Sequence, residues 1–533
     1  MRALTIALAG TLVVATAALG AAALSESRTD AGPPPAKSGF FQPEETRSSS
    51  SLRVGLGAIP YDAVAGTIIV HPKGWDDAPV PDKAKPNNPE AEASMFFVAY
   101  FRKGASPGSR PITFLYNGGP GSSTVWLHMG AFGPRRVITV DDQHTPAAPY
   151  KVVDNAYSLL DVSDLVFIDA PGTGFSRIAG KDKEKAFYGV DQDAYAFTQF
   201  IKQFLSRYGR WNSPKYLFGE SYGTTRSAVL VNELQQEEDI DFNGVILLSQ
   251  ILNFDLSPDG PDFNPGVELP FELALPTYAA TAWYHNKLPG KRPADMVAFV
   301  QQVERFAMTD YARALAIGNS LDNKTRMVIA NRLHDFTGLP VSYILKANLR
   351  IDGGEFDKTL QDQSDLTTGR LDTRFSGPTM DPLSKEADYD PQSAAISSAY
   401  VSAFNDYVRT ALKYGEGKTF KPEISLWQVW DNKHQPPGAH FALQASTNVM
   451  PDLASAMKYN PGLKILLTGG YFDLATPYYG GWYEMHHLAI PASLQGNIEY
   501  QYYPSGHMVY AHQDSLKQLH DRVADFIRRT STH

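Results

Sequence analysis

Short apolar runs recur along the chain, each closed by glycine, proline or a polar turn. Met95–Phe101 and Ile112–Tyr116 are β-branched or aromatic, and with the Gly104–Gly108 loop between them they predict a hairpin. Leu165–Ile168, Tyr216–Phe218, Val245–Leu248, Leu463–Leu467 and Ile498–Tyr503 predict further strands. Between them, Asp193–Tyr208 and Thr224–Leu234 carry apolar residues at helical spacing. Strands alternating with helices imply a mainly parallel sheet covered on both faces. From about Phe254 to Trp430 this rhythm stops, and helix-like stretches (Ala294–Met308, Tyr311–Ala316, Ala394–Leu412) take over. The pattern therefore predicts one α/β domain in two parts, 51–253 and 431–533, split by a largely helical cap insertion at 254–430. No fixed-period repeat is present, which argues against solenoids and propellers.

The first residues follow a different pattern. Residues 3–24 carry no charge, and the one charged side chain before them is Arg2. A run this long could span a bilayer, so a membrane anchor is the rival reading. Ala and Gly dominate it, however, and Ala21-Ala22-Ala23 supplies a small-residue cleavage pattern, so residues 1–24 read as a cleaved secretory signal. Residues 25–50 are polar, with Pro33-Pro34-Pro35 and the start of a serine cluster, and read as a linker. A second polar stretch, 76–92, reads as a loop at a β-rich edge. Every later apolar run is broken well short of a span's length, so no membrane span is expected after cleavage.

Composition narrows the chemistry. The 533 residues include no cysteine. That excludes disulfide frameworks, thiolate zinc sites, iron–sulfur clusters and cysteine nucleophiles. A chain of this length can bury a sizeable core without such staples. The 48 basic and 57 acidic side chains leave a formal charge of −9 with no strongly basic block, so no nucleic-acid partner is expected. An exported, disulfide-free chain suits a bacterial periplasmic or secreted enzyme.

The pattern G-x-S-x-G occurs twice. In Gly104-Ala105-Ser106-Pro107-Gly108 a proline follows the serine. It lacks the N–H that an oxyanion hole takes from the residue after a nucleophile, so this match is a loop. Gly219-Glu220-Ser221-Tyr222-Gly223 instead joins a predicted strand to a predicted helix, the context of a nucleophile elbow. A serine hydroxyl is a weak nucleophile and needs a base with an orienting partner. In this type of fold the chain order is serine, acid, histidine. Asp473 follows the strand Leu463–Leu467, and His507 follows Ile498–Tyr503, both at strand ends where open α/β sheets gather catalytic groups. Taken singly, Asp473 reads as a helix N-cap and His507 as a structural histidine. Order and placement together make Ser221, His507 and Asp473 the candidate triad. His486 and His487, on a predicted helix, are left as structural.

The glycine-rich loop Asn117-Gly118-Gly119-Pro120-Gly121-Ser122-Ser123 follows the strand Ile112–Tyr116. It lacks a P-loop lysine and dinucleotide spacing, and Arg177 spoils that spacing in the 172–177 loop as well. Beside a serine nucleophile such a loop donates a backbone N–H to the tetrahedral oxygen. Gly119 is assigned that role, with Tyr222 as second donor.

These motifs closely resemble the serine carboxypeptidase family. The resemblance rests on residues 117–123, Asp169-Ala170-Pro171-Gly172-Thr173-Gly174-Phe175-Ser176, the Ser221 motif and Gly506-His507-Met508-Val509. It is supported by Asn155-Ala156-Tyr157-Ser158 and Gly133-Pro134, and covers about 95–252 and 440–530. It implies an α/β-hydrolase fold and removal of single residues from peptide C-termini, with Asn117 and Glu220 holding the substrate's terminal carboxylate. A buried carboxyl beside another carboxylate stays protonated to higher pH and can then donate to it. Cleavage of peptides is accordingly expected to be favoured at acidic pH, without metal or organic cofactor. The chain departs from the family in three places. Ser122 replaces a frequent cysteine, Leu115 a frequent aromatic, and Thr224 a common glycine. Two other functions compete: an esterase or acyltransferase on the same triad, and a non-catalytic binding protein that keeps the fold.

Overall fold

The computed structural model describes residues 39–77, 88–442 and 446–531. The expected signal at 1–24 lies outside them. A central sheet is built from β1 (Glu45–Val54), β2 (Gly57–Val70), β3 (Glu92–Arg102), β4 (Ile112–Tyr116), β5 (Asp164–Ile168), β6 (Lys215–Glu220), β7 (Gly244–Leu248), β8 (Lys464–Gly470) and β9 (Ile498–Tyr503). Their spatial order is β1-β2-β3-β5-β4-β6-β7-β8-β9, with the short strand Arg177–Ala179 beside β3. The first three strands and the β3–β5 pair are antiparallel, and every pair from β5 through β9 is parallel. This is the α/β-hydrolase arrangement, as the motifs implied.

Two readings are corrected here. Met95–Phe101 and Ile112–Tyr116 do not form a hairpin, because β5 inserts between them: β3 pairs antiparallel with β5, and β4 pairs parallel with β5 and β6. A short loop between two strands suggested adjacency, but loop length limits only how far apart the strand ends lie, and β5 takes the place between them in the sheet. The linker read at 25–50 is also too long, since β1 begins at Glu45. This strand is mostly exposed and carries Ser48–Ser51 on a sheet edge, where polar side chains discourage pairing with other chains. Its composition therefore looks like linker.

The middle strands are buried throughout and alternate their side chains between two cores. Phe96, Val98, Tyr100 and Phe218 face one side, where the helices Pro391–Thr410 and Gln513–Thr530 cover them. Phe97, Phe114, Tyr116 and Leu217 face the other, under Val190–Arg207, Tyr222–Gln236 and Met450–Tyr459. Runs apolar on both faces are what a sheet sandwiched between helix layers requires. Within 254–430, the helices from Leu269 to Thr359 gather a third core around Leu275, Tyr311 and Leu333. Helix Pro391–Thr410 does not join it; Ile396, Tyr400 and Phe404 pack into the core of the sheet. Helical spacing reveals a buried stripe but not what buries it, so the sequence assigned this helix to the cap. Among the described residues, no helix is long and apolar enough to cross a membrane.

Candidate active site

Ser221 sits where β6 gives way to the helix Tyr222–Gln236, with φ of 61°. A left-handed serine is strained by about 1–3 kcal/mol, and the surroundings must hold it there. They do so through backbone: Ser221 N donates to Leu248 O on β7 (3.0 Å), and Thr224 N donates to Ser221 O (2.8 Å). Gly118 and Gly219 make the sharp turn possible. A Cβ on Gly118 would lie 2.4 Å from Tyr222 N, and one on Gly219 2.2 Å from Gly223 O. The glycine loop and the elbow are thus pressed together at Gly118 and Tyr222, and Gly119, the next residue of the loop, lines the same cavity as Tyr222. Among the described residues neither of these two N–H groups donates to a protein acceptor.

His507 and Asp473 arrive from the ends of β9 and β8. His507 Nδ1 lies 2.9 Å from Asp473 Oδ2, and Asp473 is completely buried. Thr476 completes the pair's surroundings: its N–H donates to Asp473 Oδ1 (2.9 Å) and its hydroxyl to Oδ2 (2.7 Å). The N-cap-like bond expected of Asp473 and its contact with the histidine therefore coexist on different carboxylate oxygens. Burial opposes the charged imidazole, but the Asp473 carboxylate outweighs it and, with Glu220, raises the His507 pKa above its ordinary value. Ser221, His507, Glu220, Asn117, Gly119 and Tyr222 line one cavity of about 700 Å³, to which segments within 251–259, 370–371, 393–397 and 423–432 also contribute walls.

Glu220 is only 2% exposed. Desolvation raises its pKa to about 7, although His507, Tyr510 and Asn117 all favour the charged form. Tyr510 donates to both carboxyl oxygens, at 3.1 and 2.9 Å. Asn117 is held from the other side, its Oδ1 accepting Leu127 N at 3.1 Å. Beneath them Arg226 donates to Asn117 O (2.8 Å) and forks onto Asp193. Asp169, from the Asp169–Ser176 motif, accepts Thr124 N at 2.8 Å, so that motif backs the glycine loop from behind. Thr476, Tyr510 and the Arg226–Asp193 pair escaped the sequence reading. No spacing rule links them to the serine, and they meet it only through the sheet. His486 and His487 lie at the surface on Trp482 and Tyr483, away from this cavity.

The buried carboxyls give the protein a characteristic response to pH. Desolvation raises Glu220 and Glu484 to about 7 and Asp169 to about 6 from ordinary values of 4.5 and 3.8. A raised carboxyl binds its proton more tightly folded than unfolded, so its stabilising contribution is full below the unfolded pKa and disappears as pH climbs through the folded one. Melting temperature is therefore expected to fall between about pH 4.5 and 7. A melting temperature that rises steadily across that interval would contradict it.

Comparison with known proteins agrees with the motifs. Residues 86–255 match the family model described as serine carboxypeptidase. A serine carboxypeptidase S10 family member of Dictyostelium discoideum is 32% identical over 146 residues, which cover 25% of this chain and 30% of its own. Carboxypeptidase Y of Komagataella phaffii is 26% identical over 155 residues, 29% of this chain and 27% of its own. The chain thus matches under a third of either relative's length. The solved proline iminopeptidase of Mycobacterium smegmatis aligns with a TM-score of 0.33 and 12% identity, over 91% of this chain and 99% of its own. The resemblance to the serine carboxypeptidase family is shown over a stretch that contains Asn117, Gly119, Glu220 and Ser221 and stops before Asp473 and His507.

Proposed function

We propose that the protein is an exported serine carboxypeptidase that releases C-terminal residues from peptides through an acyl-enzyme on Ser221. His507 takes the Ser221 proton as Oγ attacks the scissile carbonyl carbon, and Asp473 orients the imidazole and balances its charge. The Gly119 and Tyr222 N–H groups receive the developing oxyanion; losing one such donor costs about 3 kcal/mol of transition-state stabilisation. The C–N bond breaks as His507 returns the proton to the leaving amine, freeing the terminal amino acid. Water, deprotonated by the same histidine, then releases the acyl chain.

The observation that carries this reading beyond a generic hydrolase is Glu220, a buried carboxyl of raised pKa directly before the nucleophile and in the same cavity. Protonated, it donates to the substrate's terminal carboxylate while Asn117 donates alongside; ionised, it repels that carboxylate. Cleavage of free-acid peptides should therefore weaken as pH rises through about 7. The limb at lower pH belongs to His507, which must be neutral to act as base.

The test is a C-terminal ladder followed by mass spectrometry from pH 4 to 8, on matched free-acid and amidated peptides. Wild-type kcat/KM on free acids should fall by about 10-fold per pH unit above the Glu220 pKa, and Glu220→Gln should remove that fall because its amide stays neutral. Preference for amidated peptides at acidic pH, with free acids ignored, would overturn the carboxylate-binding role. Transfer of the acyl group to an added amine in place of water would favour the acyltransferase alternative.

A further inference from the structure

We infer that Arg370–Arg374, a segment of the inserted region, is a strap that sets the register of the two loops carrying Asp473 and His507, with Asp372 as a positioning residue for the histidine. The inference rests on the triad reading proposed above.

Four bonds bracket the two residues. Leu474 N donates to Arg370 O (3.1 Å), and Thr373 N donates to Phe472 O (2.9 Å), so the strap holds the backbone on both sides of Asp473. His507 N donates to Leu371 O at 2.6 Å. Gly506 N donates to Asp372 Oδ2 at 3.1 Å. Two loops from separate strands are thereby tied to one short piece of chain. The contact at Gly506 is tight: a Cβ there would lie 2.4 Å from Asp372 Cβ and 2.5 Å from its Cα.

The strap is itself anchored at both ends. Arg370 N and Leu371 N donate to Asp390 Oδ1 (2.8 and 3.2 Å), and Asp390 caps the helix packed on the sheet. At the other end Thr373 Oγ1 lies 2.6 Å from Thr281 Oγ1, and His285 Nε2 lies 2.6 Å from Thr373 O. Asp372 is completely buried and is gripped by Arg374, whose Nη2 donates to Oδ2 (2.6 Å) and Nε to Oδ1 (3.0 Å). Arg374 in turn reaches Asp141 at 3.1 Å. Burying this pair costs solvation, so it is weak evidence of added stability. What it does provide is a fixed acceptor for the N–H one residue before His507.

A small displacement of a base costs rate through orientation while leaving substrate binding largely intact, and a misplacement near 1 Å can cost about 10²-fold. Asp372→Ala, which removes the acceptor, is expected to lower kcat by about 10- to 100-fold with KM within about 3-fold. Asp372→Asn keeps an oxygen for Gly506 N–H and should recover most of kcat. Rates are expressed per folded molecule, and the rate of fluorophosphonate labelling at Ser221 is followed in parallel. Should Asp372→Ala fail to fold, Gly506→Ala applies the same displacement sterically and should give the same kcat-against-KM split. Wild-type labelling rate and kcat in folded Asp372→Ala or Gly506→Ala, or equal losses in Asp372→Asn and Asp372→Ala, would overturn the strap. A wild-type protein that does not label fails the triad reading instead, so the two failures are distinct.

Discussion

Replacing Ser221 by alanine is expected to abolish covalent labelling by a fluorophosphonate and to lower kcat on peptide substrates by about 10⁴- to 10⁶-fold. The size follows from the division of labour around the cavity. Without Oγ no acyl-enzyme forms, and what remains is the oxyanion donors and substrate binding, which still accelerate direct attack by water. His507→Ala should fall in the same range, and the double variant should fall no further, because a serine without its base and a base without its serine lose the same step. Asp473→Asn should cost about 10⁴-fold, since an amide facing Nδ1 favours the wrong imidazole tautomer. Stopped assays with intact mass measurement check all four. Residual activity in Ser221→Ala within 10-fold of wild type, or labelling that persists, would exclude the elbow serine as nucleophile.

The second large effect concerns stability. Arg226 and Asp193 are both buried, with Arg226 Nε 2.5 Å from Asp193 Oδ2, and the guanidinium also lies 4.3 Å from the Phe197 ring centroid. Arg226 belongs to the helix that begins at the elbow, and Asp193 to the preceding helix Val190–Arg207. Arg226→Met leaves a carboxylate in the core without its partner and frees Asn117 O, so unfolding free energy should drop by about 3–5 kcal/mol. Replacing both, as Arg226→Met with Asp193→Leu, removes the orphaned charge and should recover a large part of the loss. Urea midpoints of the three proteins provide the comparison. A single variant within about 1 kcal/mol of wild type would show that the pair contributes nothing to folding.

Much of this site was legible in the sequence because its chemistry is written in local patterns. Ser221 between two glycines, at a strand-to-helix junction, is recognisable wherever the chain folds as α/β. Glu220 and Tyr222 follow by adjacency alone. The strands β4 to β8 were found because a strand buried on both faces must read as an apolar run, and the half-buried edge strand β9 was found through its tyrosines, which favour a pleated surface. The failures have the opposite character. The Ser48–Ser51 segment is a strand whose apolar content is low because it lies on an edge. The order of β3, β5 and β4 depends on which neighbours complete each strand's hydrogen bonds, and no residue pattern within a strand carries that information.

The chain by itself marked out the candidate nucleophile, the acid-then-histidine order of its candidate partners and the doubly covered sheet, because these depend on short spacings, strand ends and turns. Tertiary structure alone decided that Glu220 is a desolvated carboxyl near neutral pKa and that Tyr510, Thr476 and Arg226 surround the site. It also decided that a segment beginning at Arg370 reaches back to hold the loops of Asp473 and His507. The physical reason is range. Turn geometry and periodicity act over a few residues and leave a mark in the sequence. Desolvation and hydrogen bonding between distant loops depend on which atoms meet after the sheet has formed.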